Sequence, residues 1–573
     1  MPEAALNGPA LNDTASNDTA VDAAATPRRR WWFIDPGGSV VGLLLAILSI
    51  TPSLLPRPAL FQGVITAVAF GVGYMLGALV WAGIRALIAR RSGQVPRPSP
   101  TLRRMLWVGY GVLWLAALVT LSALAVAWQN EVRVLVEMPP LDGAGIAAFL
   151  AGFVSVTLVL LAIGKATRRM FWALRRRSGL PVGLIGTATV VVAGLAALAV
   201  VVTTAIASIY LERNGSPDAE LIEPASTYRS AGADSAIGWD GLGRHGAAFV
   251  AGGPTASEIS ALIDAPALEP IRVYAGLDSA DTMQARADLI VAELERTGAF
   301  ERAVLVVATT TGSGWLEPQT VDALEYLHAG DTAIVSMQYA YTPSWVSFVF
   351  DPDAPVVAAR VLFDAVEERW LQLPANDRPQ LISYGLSLGA HGSQAVFADL
   401  DDLRSRTDGA MFVGSPGGSA LWQTLQSERD AGSPAWQPVL DGGREVRWMS
   451  RVGEQPFDGV WEQPRVLYLQ HATDAVTWLV PELLWSAPEW LEPGQRGADV
   501  SPSMRWIPVV TAVQVGIDML GGEAVPARHG HNFGDVVTAG WREVTGDAGL
   551  DAAALDRIQL KIESYAPILP YEQ

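Results

Sequence analysis

The chain has 573 residues, is 50% apolar and only 17% charged, and carries a net charge of −18 with no cysteine. A soluble domain usually has nearer a quarter of its residues charged, so this balance excludes both a purely soluble chain and a disordered one; the missing cysteines exclude disulfides, thiolate metal sites and a cysteine nucleophile. Residues 1–211 sum to +9 and residues 212–573 to −27, so a basic apolar part is joined to an acidic polar one, and the acidic part lacks the basic surface that nucleic acid requires.

Residues 1–30 lack apolar periodicity and are expected to form a disordered tail ending in Arg28-Arg29-Arg30. The segment 31–211 then reads as a membrane module. It holds five charge-free apolar stretches, 38–55, 64–84, 105–128, 144–164 and 182–210, each long enough as a helix to cross about 30 Å of hydrocarbon. With the N-terminus inside, cytoplasmic segments hold 15 basic residues, whereas the outer loops hold only Arg57 and Arg133. The positive-inside rule then predicts a cell-membrane protein with a cytoplasmic N-terminus and an extracytoplasmic C-terminal part. Trp31, Trp32, Trp107 and Trp128 lie near span ends, as suits an interfacial belt. No charged residue or histidine falls inside a stretch, which favours an anchor over a transport pathway.

Residues 212–255 read as a linker and lead-in, and residues 256–573 as an alternating α/β domain. Strand-like runs at 271–274, 303–308, 333–337, 380–384, 410–413 and 465–470 alternate with helical patterns at 282–296, 321–327, 356–371 and from Leu388 onward. This alternation predicts a mostly parallel sheet with helices on both faces.

The chemistry begins at Gly385-Leu386-Ser387-Leu388-Gly389, between an apolar strand and a helix. A G-x-S-x-G turn at that position exposes a serine hydroxyl at the sheet edge. Such a serine needs a base and an orienting acid, in the order Ser, acid, His. His391 lies on the elbow helix and His471 comes before any well-placed acid, which leaves His529 and His531. His531 is preferred because Gly530 frees the chain to turn its ring toward the elbow. Asp474, just past the 465–470 strand, is the best-placed acid, ahead of Asp441 and Asp458. The backbone N–H of Leu388 and the glycine-containing loop Thr311-Gly312-Ser313-Gly314-Trp315, through Thr311 and Gly312, are the expected oxyanion donors. There is no Gly-Lys-Ser/Thr phosphate loop and no His-Glu-x-x-His zinc motif, and no cofactor or metal is expected.

Four segments together resemble the bacterial integral-membrane α/β-hydrolase family: Thr51-Pro52-Ser53-Leu54-Leu55-Pro56-Arg57, the loop from Thr311, the Gly385 elbow and His529-Gly530-His531-Asn532. The resemblance implies a multi-span module followed by an α/β-hydrolase domain that acts through Ser387, Asp474 and a histidine of the late loop. Arg528 departs from the glycine expected before the first histidine.

The expected activity is that of a membrane-anchored serine hydrolase, esterase- or lipase-like. The alternatives are an envelope acyltransferase using the same triad and a non-catalytic scaffold. The expected partners are membrane lipids or lipid-like acyl esters. Trp422, Trp436, Trp448, Trp461, Trp478, Trp485, Trp490 and Trp506 suggest an apolar-to-wet surface, and residues 476–491 a cover over the crevice.

Overall fold

The computed structural model describes residues 35–92, 99–453 and 459–565. The expected tail at 1–30, with Arg28–Arg30, and the positions Trp31, Trp32, Arg97 and Asp458 lie outside these residues.

The N-terminal module contains α1 (Pro36–Ile50), α2 (Ala59–Ser92), α3 (Pro100–Leu135) and α4 (Gly143–Asn214). Among the described residues, three helices are long and apolar enough to cross a membrane, α2, α3 and α4, not the five stretches expected. Two physical reasons account for the difference. Thr51-Pro52 ends α1 after 15 residues, about 22 Å of helix, short of a full crossing. The fourth and fifth stretches both fall in the 72 residues of α4, which is broken at Gly179 (φ 83, ψ 177) just before Pro181. A β-carbon on Gly183 would lie 2.9 Å from Arg175 Cβ, eight residues earlier; a straight helix separates such positions by about 12 Å. The helix therefore folds back on itself at Gly179.

The two ends of the module differ in charge. Arg90 and Arg91 close α2, Arg103 and Arg104 open α3, and the α4 reversal carries Arg175, Arg176 and Arg177. The 51–57 loop, the end of α3 and Asn214 at the end of α4 lie at the opposite pole and bond to the C-terminal domain, as described below.

That domain is built on seven strands: β1 (Ile271–Ala275), β2 (Val304–Thr309), β3 (Thr332–Met337), β4 (Gln380–Leu386), β5 (Gly409–Val413), β6 (Val446–Met449) and β7 (Arg465–Leu469). They form one sheet in the order β1-β3-β2-β4-β5-β7-β6, with every pairing parallel. Strands β1, β2, β3 and β5 are buried along their whole length, as continuous apolar runs should be when helices cover both faces. The covering helices include α5 (Met283–Thr297), α6 (Pro318–Leu327), α7 (Ala354–Leu371), α8 (Leu388–Gln394) and α10 (Val537–Thr545), whereas α9 (Val510–Asp518) packs against the end of α1. A short edge strand, β6, was not expected.

The tryptophans correct one expectation. Trp422, Trp448, Trp461, Trp478 and Trp490 are buried in the core, and Trp436 and Trp506 pack half-buried against it. Of the eight, only Trp485 is exposed, at 63%. Trp478 packs edge-on to Trp422 and stacks on Trp490, filling volume that smaller side chains would leave empty.

Candidate active site

Ser387 follows β4 and opens α8 with φ 56 and ψ −123. This left-handed conformation is unfavourable for a side-chain-bearing residue and persists only when its surroundings enforce it. The flanking glycines are that enforcement. A β-carbon on Gly385 would collide with the Gly389 carbonyl, and one on Gly389 with the Thr309 carbonyl at the end of β2. The Ser387 N–H donates to the Val413 carbonyl at 2.8 Å, which ties the elbow to the end of β5.

Asp474 stands where β7 ends, fully buried. Its two oxygens have separate duties. Oδ1 accepts the Val476 N–H at 2.9 Å and caps the following turn; Oδ2 lies 2.8 Å from His531 Nδ1. The imidazole sits beside Gly414, immediately after β5, where a β-carbon would collide with the ring. The ends of three neighbouring strands, β4, β5 and β7, thus bring together Ser387, Gly414 and the Asp474–His531 pair. His531 Nε2 is buried with no hydrogen-bond partner, so it is available to take a proton. Burial alone would depress the His531 pKa. The charge and hydrogen bond of Asp474, with Glu523 and Glu317 nearby, outweigh it and raise the value.

The other histidines do different work. His529 Nδ1 is 3.0 Å from Asp499 Oδ2, and its Nε2 is 3.9 Å from Glu137 Oε1 at the end of α3. The Asp499 carboxyl, although burial pushes it up, is held below its ordinary value by that hydrogen bond and by the His529 charge. His471 is wedged between the Gly530 and Ser450 carbonyls at 3.0 and 3.2 Å and stacks on Phe533, and burial keeps its pKa low. It props the late loop from below. His391 Nδ1 is 3.0 Å from Ser419 Oγ. Asp441 forms its own ion pair with Arg444 on the surface, away from the pair at His531. Arg528 takes φ 81, and its Nε lies 3.1 Å from Asp535 Oδ2.

The expected oxyanion donors need correction. The Thr311 N–H already donates to the Trp315 carbonyl at 3.0 Å, and the Gly312 N–H to Ser344 Oγ at 3.2 Å. Both are spent on shaping their loop. Leu388 begins α8, where an N–H has no partner within the helix. Thr311 Oγ1 is buried without a hydrogen-bond partner.

Two features had no local sequence pattern. The first is an acidic pair beside His531, Glu317 buried and Glu523 half-buried. Burial raises the pKa of both Glu317 and Glu523, the latter to about 8. The second is an ion pair across the two halves of the chain, with Arg57 Nη2 and Asp518 Oδ1 2.8 Å apart and both side chains buried. Asp518 also accepts the Leu54 and Leu55 N–H groups, and Arg57 donates to Ser53 Oγ, Gln62 Oε1 and the Gln514 carbonyl. Leu55 then lies against the loop that carries His531, since a β-carbon on Gly530 would be 3.1 Å from Leu55 Cδ1. Glu131 accepts hydrogen bonds from Ser501 and Ser503, and Asn214 Oδ1 accepts one from Gln338. A signal for Arg57 did exist in the sequence: it is one of only two basic residues on the wrong side of the charge pattern. Among the described residues, no group of three or more His, Asp or Glu side chains is placed to hold a metal ion.

Two family models match the chain. The model of an alpha/beta-hydrolase family matches residues 271–558, and that of an alpha/beta-hydrolase family N-terminus matches residues 50–254. No curated protein and no solved structure matches.

Proposed function

Because this chain belongs to the alpha/beta-hydrolase family, we propose that it is a membrane-anchored serine hydrolase that cleaves acyl esters through Ser387, His531 and Asp474. The observation that carries the reading is the 2.8 Å pair of His531 Nδ1 and Asp474 Oδ2, set against a strained serine across adjacent strand ends. His531 Nε2 takes the Ser387 proton as Oγ attacks the ester carbonyl, and the Leu388 N–H donates to the developing oxyanion. Collapse expels the alcohol, which leaves with the proton from His531. A water deprotonated by the same nitrogen then releases the acid and restores the serine. Asp474 fixes the ring tautomer and stabilises the imidazolium without itself taking the proton.

A pH profile with a water-soluble ester, on the full chain in detergent, tests this reading. His531 must be neutral to act, and its pKa is raised, so kcat/KM should climb with pH through a midpoint above the ordinary histidine value. The linkage to stability runs the other way. The stabilisation from the charged pair is present below the unfolded-state pKa and is lost as pH rises through the folded one. Asp474→Asn should cut kcat about ten-thousandfold and move the activity midpoint down. A chain with no ester turnover at any pH, folded and intact, would remove the hydrolase reading and leave the scaffold.

We place the hydrolase domain outside the cytoplasm. Its contacts use the pole of the module opposite Arg90, Arg91, Arg103, Arg104 and Arg175–Arg177, and basic ends stay inside. A reporter active only in the cytoplasm, fused after Gln573, should be silent; strong activity would reverse the topology.

A further inference from the structure

One apolar surface of the hydrolase domain serves none of its core. On α9, Thr511, Ala512, Gln514, Val515 and Asp518 are buried. The opposite face presents Val513 and, at the start of the helix, Val509, each more than half exposed, with Leu520 just beyond the end. The Val509 N–H donates to the Leu484 carbonyl at 2.9 Å, which sets the exposed Leu484 and Trp485 beside this stripe. Val509 has φ 65 and ψ −45, a conformation rare for a β-branched residue. None of these five side chains is charged.

The buried face says what the stripe lies against. Gln514 Nε2 donates to the Leu48 and Thr51 carbonyls at 3.2 and 3.0 Å, so α9 is docked on the last turn of α1. That helix is itself apolar, with Val40 and Leu44 exposed. At its other end the segment runs through Asp518 to Gly522, whose carbonyl accepts the His531 N–H at 2.7 Å. One short stretch of chain therefore joins the end of the apolar helix α1 to the proposed base.

We propose that Val509, Val513, Leu520, Leu484 and Trp485 rest in the lipid leaflet on the hydrolase side, and that the substrate is a long-chain acyl ester reaching Ser387 from that leaflet. This rests on the serine-hydrolase reading of Ser387, Asp474 and His531. An in-plane helix with an apolar face in the lipid and a polar face on protein is stable at that depth, and tryptophan suits the headgroup boundary.

The chain has no cysteine, so Val513→Cys gives a single labelling site for an environment-sensitive fluorophore in the full chain. In phosphatidylcholine vesicles, the fluorophore should be quenched by phosphatidylcholine spin-labelled near the headgroup and shielded from aqueous iodide. Quenching by iodide alone overturns the proposal. So does shielding without lipid quenching when Val513→Cys forms disulfide-linked dimers, which would make the patch a contact between two copies. Neither readout needs activity, so failure of the hydrolase reading is seen separately. The double variant Val513→Gln with Trp485→Gln should lose about tenfold or more in kcat/KM on p-nitrophenyl palmitate held in vesicles, while p-nitrophenyl acetate turnover stays unchanged. Equal loss on both esters, or no loss on either, contradicts access from the leaflet.

Discussion

Replacing Ser387 by alanine should lower kcat on an acyl ester about a millionfold, and His531→Ala should cost about as much. The double variant should be hardly worse than either single one, because serine and base act as one unit. His529→Ala separates the two late-loop histidines. Its ring is bonded to Asp499 and faces Glu137, not Asp474, so it should cost within about tenfold, the worth of about one hydrogen bond. Steady-state kinetics of the four purified variants check this. A larger loss at His529 than at His531 would exchange their roles.

Arg57→Ala should have the largest effect on stability. It strands the Asp518 carboxylate in a buried site, and breaking one side of a buried pair costs about 3–5 kcal/mol. For a domain of this size that is a fall in Tm on the order of 10 °C. Arg57 carries the 51–57 loop, and Leu55 of that loop touches Gly530 beside His531; with His531 as the proposed base, the soluble-ester rate should fall with the stability. Arg57→Met combined with Asp518→Asn removes the stranded charge and should recover most of the lost Tm. Thermal unfolding of the full chain in detergent reads all three proteins. An unchanged Tm for Arg57→Ala would mean that the two halves do not meet through this pair.

The sheet was legible where burial makes strands conspicuous. Strands such as 304–309 read as unbroken apolar runs because both faces are covered. Strand β6 was missed because Arg447 interrupts it, and it alternates between buried and half-buried at the sheet edge. Charge-free length locates apolar stretches but not the points where helices break. Proline at 52 shortened the first helix, and the turn at Gly179 folds the last two stretches back on each other. The Asp474–His531 pair could be picked out because chain order and strand ends constrain it. Asp499, Asp518, Glu317 and Glu523 could not, because the meaning of a single carboxylate in a loop or at a helix end depends on a partner distant in sequence. The 311–315 loop stood out by its glycines. That Thr311 and Gly312 spend their N–H groups internally is a matter of loop conformation alone.

The most direct measurement is the position of the adduct formed by a fluorophosphonate on the intact, folded protein. An activated serine attacks phosphorus and keeps the label, whereas an ordinary buried or surface hydroxyl does not react. Peptide mapping should find the label on Ser387, absent in Ser387→Ala and strongly reduced in His531→Ala. No adduct at Ser387, or labelling of a different serine that survives Ser387→Ala, would contradict the account.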